Sequence, residues 1–184
     1  PTRRAAVAGE LAGLTLSPLP ASTPVVTCGQ YVQGALTADP GFSRPGQPFW
    51  RALGTLTRSA VDTWLFVVFD YLQALDLHDA ACLAVDVQLP PQATATQLLV
   101  ILHERDGGDY LAASGRSLSE PGAARLYVPL HAFRLMGQSK DPNGRLDLDQ
   151  ITAIRIGWGG YFGQEGEQVG FSLAAPRLAV REGR

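Results

Sequence analysis

Charged residues are scarce in this sequence, and the ones present do not cluster. Asp, Glu, Lys and Arg make up 17% of the 184 residues, against about 25% in an average globular domain. The formal net charge is −2, and no run of basic residues is longer than the pair Arg3-Arg4. Nucleic-acid-binding proteins concentrate cationic side chains on one face. The sequence therefore argues against that class and predicts a mixed, solvated surface.

Cysteine is also rare, with Cys28 and Cys82 as the two examples. They allow at most one disulfide bond, which spacing alone does not establish, so the redox compartment stays open. We expect Cys82 to be buried, because it lies in an apolar, strand-like segment. The two cysteines are far apart, and the histidines at positions 78, 103 and 131 lack metal-ligand spacing. These residues therefore predict no metal site.

No stretch of the sequence is apolar enough to cross a membrane. The longest uncharged segment, residues 11–38, contains Pro18, Pro20, Pro24 and many polar side chains, a composition unlike that of transmembrane helices. The chain begins at Pro1, without Met or a secretory leader. We therefore expect it to be an excised part of a larger, multidomain protein.

Apolar residues and turn-forming residues are abundant instead. Hydrophobic residues make up 46% of the sequence, which also contains 20 Gly and 13 Pro spread along its length. Such a composition supports a sizeable core and many turns rather than one flexible linker. The length suits one domain spanning residues 1–184.

Short β-strands at regular intervals dominate the pattern. Residues 82–89 alternate between large apolar and polar or small side chains, which indicates a half-buried strand. Residues 72–81 are predicted as a short helix, and residues 1–60 as two or three short strands. The other predicted strands are residues 61–70, 97–104, 125–130, 151–158, 168–173 and 177–180.

The spacing of these strands predicts the fold class. Strands recur without the helical crossovers that a parallel sheet needs. The sequence therefore predicts an all-β protein, a two-sheet antiparallel β-sandwich with jelly-roll connections and at most one or two short helices.

Motifs of common enzyme classes are missing. His103-Glu104 begins an HExxH motif but continues as Arg105-Asp106, and Ala113-Ser114-Gly115 is not the G-x-S-x-G of a nucleophile elbow. The glycine-rich residues 157–166 have Phe162 where a phosphate loop needs its third glycine, and they lead into a strand. Residues 141–149 lack the glycine position and the closing acid of a calcium loop.

Residues 83–178 resemble one class of known domains in the order and spacing of their segments. The segments are LAVDVQLP (83–90), LLVILHERDGGDY (98–110), LYVPLHAF (126–133), an Asn-Gly turn, LDLDQITAIRIG (146–157) and an aromatic glycine loop. This order is similar to that of non-catalytic carbohydrate-binding modules with a galactose-binding-like jelly roll, which are attached to bacterial glycoside hydrolases. The same architecture also serves purely structural domains, so the fold alone does not assign a function.

The resemblance implies a secreted, extracellular module that binds β-glucan or another plant polysaccharide and targets an attached glycoside hydrolase to it. It implies no catalytic residues, no membrane or nucleic-acid partner and no required cofactor. Modules of this kind often hold a structural calcium ion through an acidic residue near the C-terminus. The matching segment FSLAAPRLAV (171–180) has no acid, so a calcium site lacks a clear motif here.

Sugar-binding sites combine aromatic rings with side chains that make planar or bidentate hydrogen bonds. The candidate carbohydrate-binding residues are Asp86, Gln88, His103, Arg125, Tyr127, Arg155, Trp158 and Tyr161. The first six share the strand face opposite the Leu, Val and Ile rows. If their strands are adjacent, these six side chains form one shallow groove.

The aromatic residues have competing interpretations. Trp158 and Tyr161 lie in or beside the glycine-rich loop, but Trp158 shares the parity of neighbouring isoleucines, so a core position is equally compatible. Trp64 is expected in the core, because its strand is apolar on both faces. Phe49 and Trp50 either stack on a ligand or close one end of the sandwich.

Two other functional classes stay open. A pair of carboxylates about 5–10 Å apart could hydrolyse a glycosidic bond; the candidates are Asp70, Asp86, Glu104, Glu165 and Glu167. The Tyr-x-Lys of alginate-lyase-type sandwiches is absent, because position 163 is Gly. The alternatives to a binding module are therefore a small jelly-roll lyase or hydrolase, and a structural domain without a ligand.

Overall fold

Two antiparallel β-sheets packed face to face form the structure, a computed structural model that describes residue 11 and residues 13–182. The strands are β1 (Leu14–Pro18), β2 (Val25–Cys28), β3 (Val32–Ala38), β4 (Phe49–Leu56), β5 (Thr63–Leu75), β6 (Ala80–Leu89), β7 (Gln97–Glu104), β8 (Asp109–Ser117), β9 (Gly122–Pro129), β10 (Arg134–Leu135), β11 (Ile151–Tyr161), β12 (Gln168–Ala174) and β13 (Arg177–Arg181). A single 3-10 helix, Leu130–Ala132, follows β9 in the described part of the chain. The predicted antiparallel sandwich is confirmed.

The strands form two sheets, one of seven strands and one of six. The first has the order β1-β13-β6-β12-β4-β3, with β9 also paired to β6. The second has the order β10-β8-β7-β11-β5-β2. The first and last described strands are neighbours, with Leu14 opposite Arg181.

The core lies between the sheets and is filled by alternate residues of the longest strands. In β6, Leu83, Val85, Val87 and Leu89 point inward, as their alternation predicts. Trp158, Phe69 and Phe171 are the largest of the fully buried side chains. No helix in the described residues is long and apolar enough to span a membrane.

Two sequence-based predictions of local structure are wrong. Residues 72–81 form no helix: β5 continues to Leu75, and β6 begins at Ala80. Between them Asp76 accepts hydrogen bonds from the backbone and ring of His78, and this Asx-type turn favours a strand connection over a helix. Residues 1–60 hold four described strands rather than two or three, because two of them are short strands at sheet edges.

The two cysteines are free thiols that belong to different sheets. Cys28 lies on β2 of the six-stranded sheet and donates to the carbonyl of Val32. Cys82 is buried on β6 of the seven-stranded sheet, as its apolar segment predicts. Burial raises the pKa of the Cys82 thiol, which lowers its reactivity.

Candidate functional site

The predicted carbohydrate-binding residues do not form one groove. His103 and Arg155 point outward from the six-stranded sheet, on β7 and β11. The other four, Asp86, Gln88, Arg125 and Tyr127, point outward from β6 and β9 of the seven-stranded sheet. The predicted single row is therefore wrong, because alternation tells inward from outward but does not tell which sheet a strand joins.

Trp158 and Tyr161 are not exposed rings on a flexible loop. β11 continues through Tyr161, so the half of the glycine-rich segment that holds both rings is strand. Trp158 is 0% exposed and packs edge-on against Tyr161, with 6.1 Å between ring centroids. The Tyr161 hydroxyl donates to Glu167 Oε1 at 2.7 Å, and burial together with this bond raises its pKa to about 12. Trp158 is thus a core residue and not a ligand contact.

Asp86 is the centre of an ion-pair network on the seven-stranded face. Its carboxylate accepts hydrogen bonds from Arg125 Nε and Arg177 Nη2, both at 2.6 Å, and from Gln47 Nε2 at 2.6 Å. The side chain is 12% exposed. A carboxylate with all these partners has little capacity left for a sugar hydroxyl, so the network indicates a structural role.

Asp86→Asn is expected to lower the free energy of unfolding by about 2 kcal/mol at neutral pH, because two guanidinium groups lose their counter-charge. Burial alone raises the pKa of Asp86, but bonds and charges from Arg125, Gln47 and Arg177 outweigh it and hold the pKa below its usual 3.8. A depressed native pKa contributes stability that is complete above the unfolded-state pKa and is lost as pH falls through the native value. Urea unfolding at several pH values measures the difference.

The difference in free energy of unfolding between Asp86→Asn and the unmodified protein should shrink below pH 3.8, where protonation begins to remove the charge of Asp86 in the unmodified protein as well. Asp62→Asn is the matched control, since Asp62 is exposed and makes no ion pair with the described residues. A deficit of equal size at neutral and acid pH would contradict the ionic explanation.

A second polar cluster lies on the outward face of the six-stranded sheet. Asp109 Oδ1 lies 2.7 Å from His103 Nδ1 and 3.3 Å from Arg155 Nη1. The three residues stand on β8, β7 and β11, which are neighbouring strands. Each side chain is between a quarter and a third exposed. Asp109 therefore holds an imidazole and a guanidinium in fixed positions at the protein surface.

Aromatic side chains flank the same strand β11 a short distance away. Trp64 and Phe66 point outward from β5, with ring centroids 6.3 Å apart and planes tilted by 39°. Trp64 is 37% exposed. A Cβ built on Gly159 would lie 3.4 Å from Trp64 Cβ and 3.7 Å from the Phe66 ring. The Phe66 ring thus lies beside Gly159, whereas the Trp64 indole extends toward Gly29 after β2, where a Cβ would lie 2.9 Å from its Nε1.

These elements form one elongated site, which we call the six-stranded-face site: Trp64, Phe66, His103, Asp109 and Arg155. Gly159 and Arg155 are four residues apart on one strand, a separation of about 13 Å at the usual strand rise. The register places Phe66 beside Gly157, and Val68 and Ile101 on either side of Arg155. The site therefore runs along β11 from Trp64 to the polar cluster, over the largely buried apolar side chains of Phe66, Val68 and Ile101.

Sequence reasoning missed three members of this site. Trp64 was expected in the core and is partly exposed instead, because both faces of β5 are apolar and hide its alternation. Asp70 indicates the outward face of β5, because it is exposed and lies an even number of residues from Trp64 and Phe66. Side chains at such spacing share one face of a strand. Asp109 could have been found from the Asp-Gly-Gly turn, because a hairpin there pairs it with His103.

The candidate catalytic carboxylates do not converge. Asp70 and Asp109 share the six-stranded face, but their strands are three spacings apart, about 14 Å. Asp86 is on the opposite face, and Glu104, the last residue of β7, is buried, with a pKa raised by desolvation. Both remaining candidates lie in the β11–β12 connection: Glu165 is exposed, and Glu167 accepts from Tyr161 and Thr94. Within the described residues, no group of three or more His, Cys, Asp or Glu side chains is arranged to hold a metal ion.

The chain matches no protein-family model and no curated protein, but its fold is similar to that of solved structures. A family 11 carbohydrate-binding module from Clostridium thermocellum, in complex with a β-1,3-1,4-mixed-linked tetrasaccharide, aligns with a TM-score of 0.66 at 13% identity over 93% of this chain and 98% of that one. The family 11 module of a cellulosomal cellulase of the same organism gives 0.65 at 12% identity, covering 94% and 98%.

A family 30 carbohydrate-binding module of another cellulosomal cellulase of Clostridium thermocellum gives a TM-score of 0.52 at 11% identity, covering 94% of this chain and 98% of that one. These matches extend over almost the whole of each chain. They confirm the module-like jelly-roll sandwich that the resemblance implied. At such low identity the likeness is one of fold.

Proposed function

We propose that this protein is a non-catalytic module that binds a polysaccharide through the six-stranded-face site. The observation that carries the proposal is the joint exposure of Trp64 and of the Asp109–His103–Arg155 cluster on one sheet face. The solved family 11 module with its bound tetrasaccharide supports the ligand class.

The chemistry of the two ends of the site fits a sugar chain. The Trp64 ring offers a flat apolar surface to the C–H face of a pyranose. Arg155 and His103 offer N–H donors to hydroxyl groups, and Asp109 fixes both before a ligand arrives. Side chains that are already held in place lose less conformational entropy when a ligand binds.

The shape of the site favours the interior of a linear chain. It lies on an open sheet face and extends about 13 Å along β11. A β-1,3-1,4-linked glucan is the first ligand to test, because the similar family 11 module was solved with such an oligosaccharide. In this proposal the module is secreted, requires no cofactor, and brings an attached glycoside hydrolase to its substrate.

The separation of Asp70 and Asp109 on the six-stranded face supports binding over hydrolysis at this site. Retaining and inverting glycosidases hold two carboxyl groups about 5–9.5 Å apart, whereas the strands of Asp70 and Asp109 are about 14 Å apart. The alternative, a glycoside hydrolase, is tested by incubating the protein with a panel of polysaccharides and assaying the reducing ends that are released. Release of reducing sugar by the purified module would favour a hydrolase.

Arg155→Ala is expected to weaken binding of mixed-linked β-glucan by about 10-fold, because a charged hydrogen bond contributes about 1.5–3 kcal/mol. Affinity electrophoresis and isothermal titration measure the change. Tyr127→Ala is the control: Tyr127 lies on the opposite sheet face and should leave affinity unchanged. Loss of binding in Tyr127→Ala with retention in Arg155→Ala would move the ligand to the seven-stranded face.

A further inference from the structure

A separate cavity of about 430 Å³ lies at one end of the sandwich. Three connections surround it: residues 19–23 after β1, residues 46–48 before β4, and residues 175–176 between β12 and β13. It contains no residue of the six-stranded-face site. Its volume is at the small end of the range of about 300–1,000 Å³ for small-molecule sites.

The cavity has an aromatic wall held in rigid surroundings. Trp50 lines it, and its ring is fixed by an edge-on contact with the core residue Phe69 at 6.1 Å. The lining prolines are Pro18, Pro20, Pro48 and Pro176. Because proline fixes φ, these walls lose little entropy when a ligand binds.

Two polar residues of the cavity lining, Arg177 and Gln47, are held in place by Asp86. Its carboxylate bonds Arg177 Nη2 and Gln47 Nε2, and both donors belong to cavity-lining residues. Arg177 Nε is buried and has no hydrogen-bond partner among the described residues. That buried nitrogen is out of reach of a ligand, but the Arg177 side chain is 24% exposed, so the outer part of its guanidinium can donate to a ligand oxygen.

From this geometry we propose that the end cavity binds a single neutral sugar unit, the end or a side branch of a glycan. This inference rests on the proposed function for its ligand class, but on different residues. One sugar fits because loops close the cavity on three sides, unlike the open six-stranded face. A neutral ligand fits because Arg177 is the single charged residue among the described residues of the lining, and its guanidinium is already ion-paired with Asp86.

The three tryptophans provide separate reporters for a nuclear magnetic resonance titration of the whole chain. Trp50 lies in the end cavity, Trp64 in the six-stranded-face site, and Trp158 in the core. The probes are the methyl glycosides of glucose, galactose, xylose, mannose and arabinose, up to about 50 mM, well above a millimolar Kd. At least one glycoside should shift the Trp50 indole N–H resonance without shifting that of Trp158.

Filling the cavity should abolish this shift without removing core contacts. Ala21→Phe adds a ring at an exposed lining position, and Ala93→Phe adds the same ring at an exposed position in the β6–β7 connection. We expect Ala21→Phe to reduce the Trp50 response at least 10-fold and Ala93→Phe to leave it unchanged. Retention of the Trp158 resonance shows that each variant is folded.

The outcomes separate this inference from the proposed function. A mixed-linked glucan that shifts Trp64 while no glycoside shifts Trp50 would overturn the cavity proposal alone. A shift of Trp50 by a proline-rich peptide and by none of the sugars would overturn it in favour of peptide recognition. If a glycoside shifts the Trp50 resonance but the glucan does not shift that of Trp64, the result would support the cavity proposal and contradict the assignment of the six-stranded-face site.

Discussion

Trp64→Ala is expected to weaken binding of mixed-linked β-glucan by about 30-fold or more. Removal of a central interface tryptophan typically costs at least about 2 kcal/mol, and each 1.4 kcal/mol is tenfold in affinity. Trp64 is the most exposed ring of the site and lies beside Gly159. Isothermal titration of the variant and of the unmodified protein measures the loss.

Phe42→Ala is the matched control for this experiment. Phe42 is 44% exposed, similar to Trp64 at 37%, but it lies in the β3–β4 connection beside the seven-stranded face. Its replacement should leave the affinity within about twofold, an energy difference below 0.5 kcal/mol. Equal losses in the two variants would mean that binding is a general property of exposed rings, and the assigned site would be wrong.

Gly157→Ala is expected to destabilise the fold by about 4 kcal/mol or more, or to prevent folding. A Cβ on Gly157 would lie 1.9 Å from the carbonyl oxygen of Leu65 and 2.7 Å from Phe66 Cα. Both contacts are with the backbone of the paired strand β5, which cannot rotate away as a side chain does. The melting temperature should fall by about 10 °C, at about 2–4 °C per kcal/mol for a chain of this size.

Gly159→Ala, two residues further along the same strand, is the control for this clash. Its Cβ would have 3.4 Å to the nearest atom, an ordinary contact. The melting temperature of this variant should therefore stay within about 2 °C of the unmodified protein. A mild effect of Gly157→Ala, similar to that of Gly159→Ala, would show that β5 and β11 approach each other less closely than described here.

Alternation along the strands was sufficient to predict the fold class and the inward residues of β6. Alternation was not sufficient to predict which side chains share a face, because the pairing of strands into sheets depends on residues far apart in the sequence. Residues 82–89 and 97–104 are both predicted as strands, but nothing in either segment tells which sheet it joins, and β6 and β7 belong to opposite sheets. Asp86 and His103 were therefore predicted on one surface although the whole core separates them.

The aromatic part of the site was hidden for a different physical reason. Strand β5 has apolar side chains on both faces, because its outward residues Phe66 and Val68 form the floor of the site. A fully buried strand has the same pattern. Polar clusters give a clearer signal, and Asp109 and His103 follow from the hairpin that joins β7 to β8.

The pairing of β1 with β13 determines how this module can be tethered. Leu14 lies opposite Arg181 at one edge of the seven-stranded sheet, so both ends of the described chain leave from the same corner. A group attached at residue 13 or residue 182 would therefore lie beside that sheet. The surface that carries Trp64 and Arg155 belongs to the other sheet, so such an attachment would leave the proposed polysaccharide site uncovered.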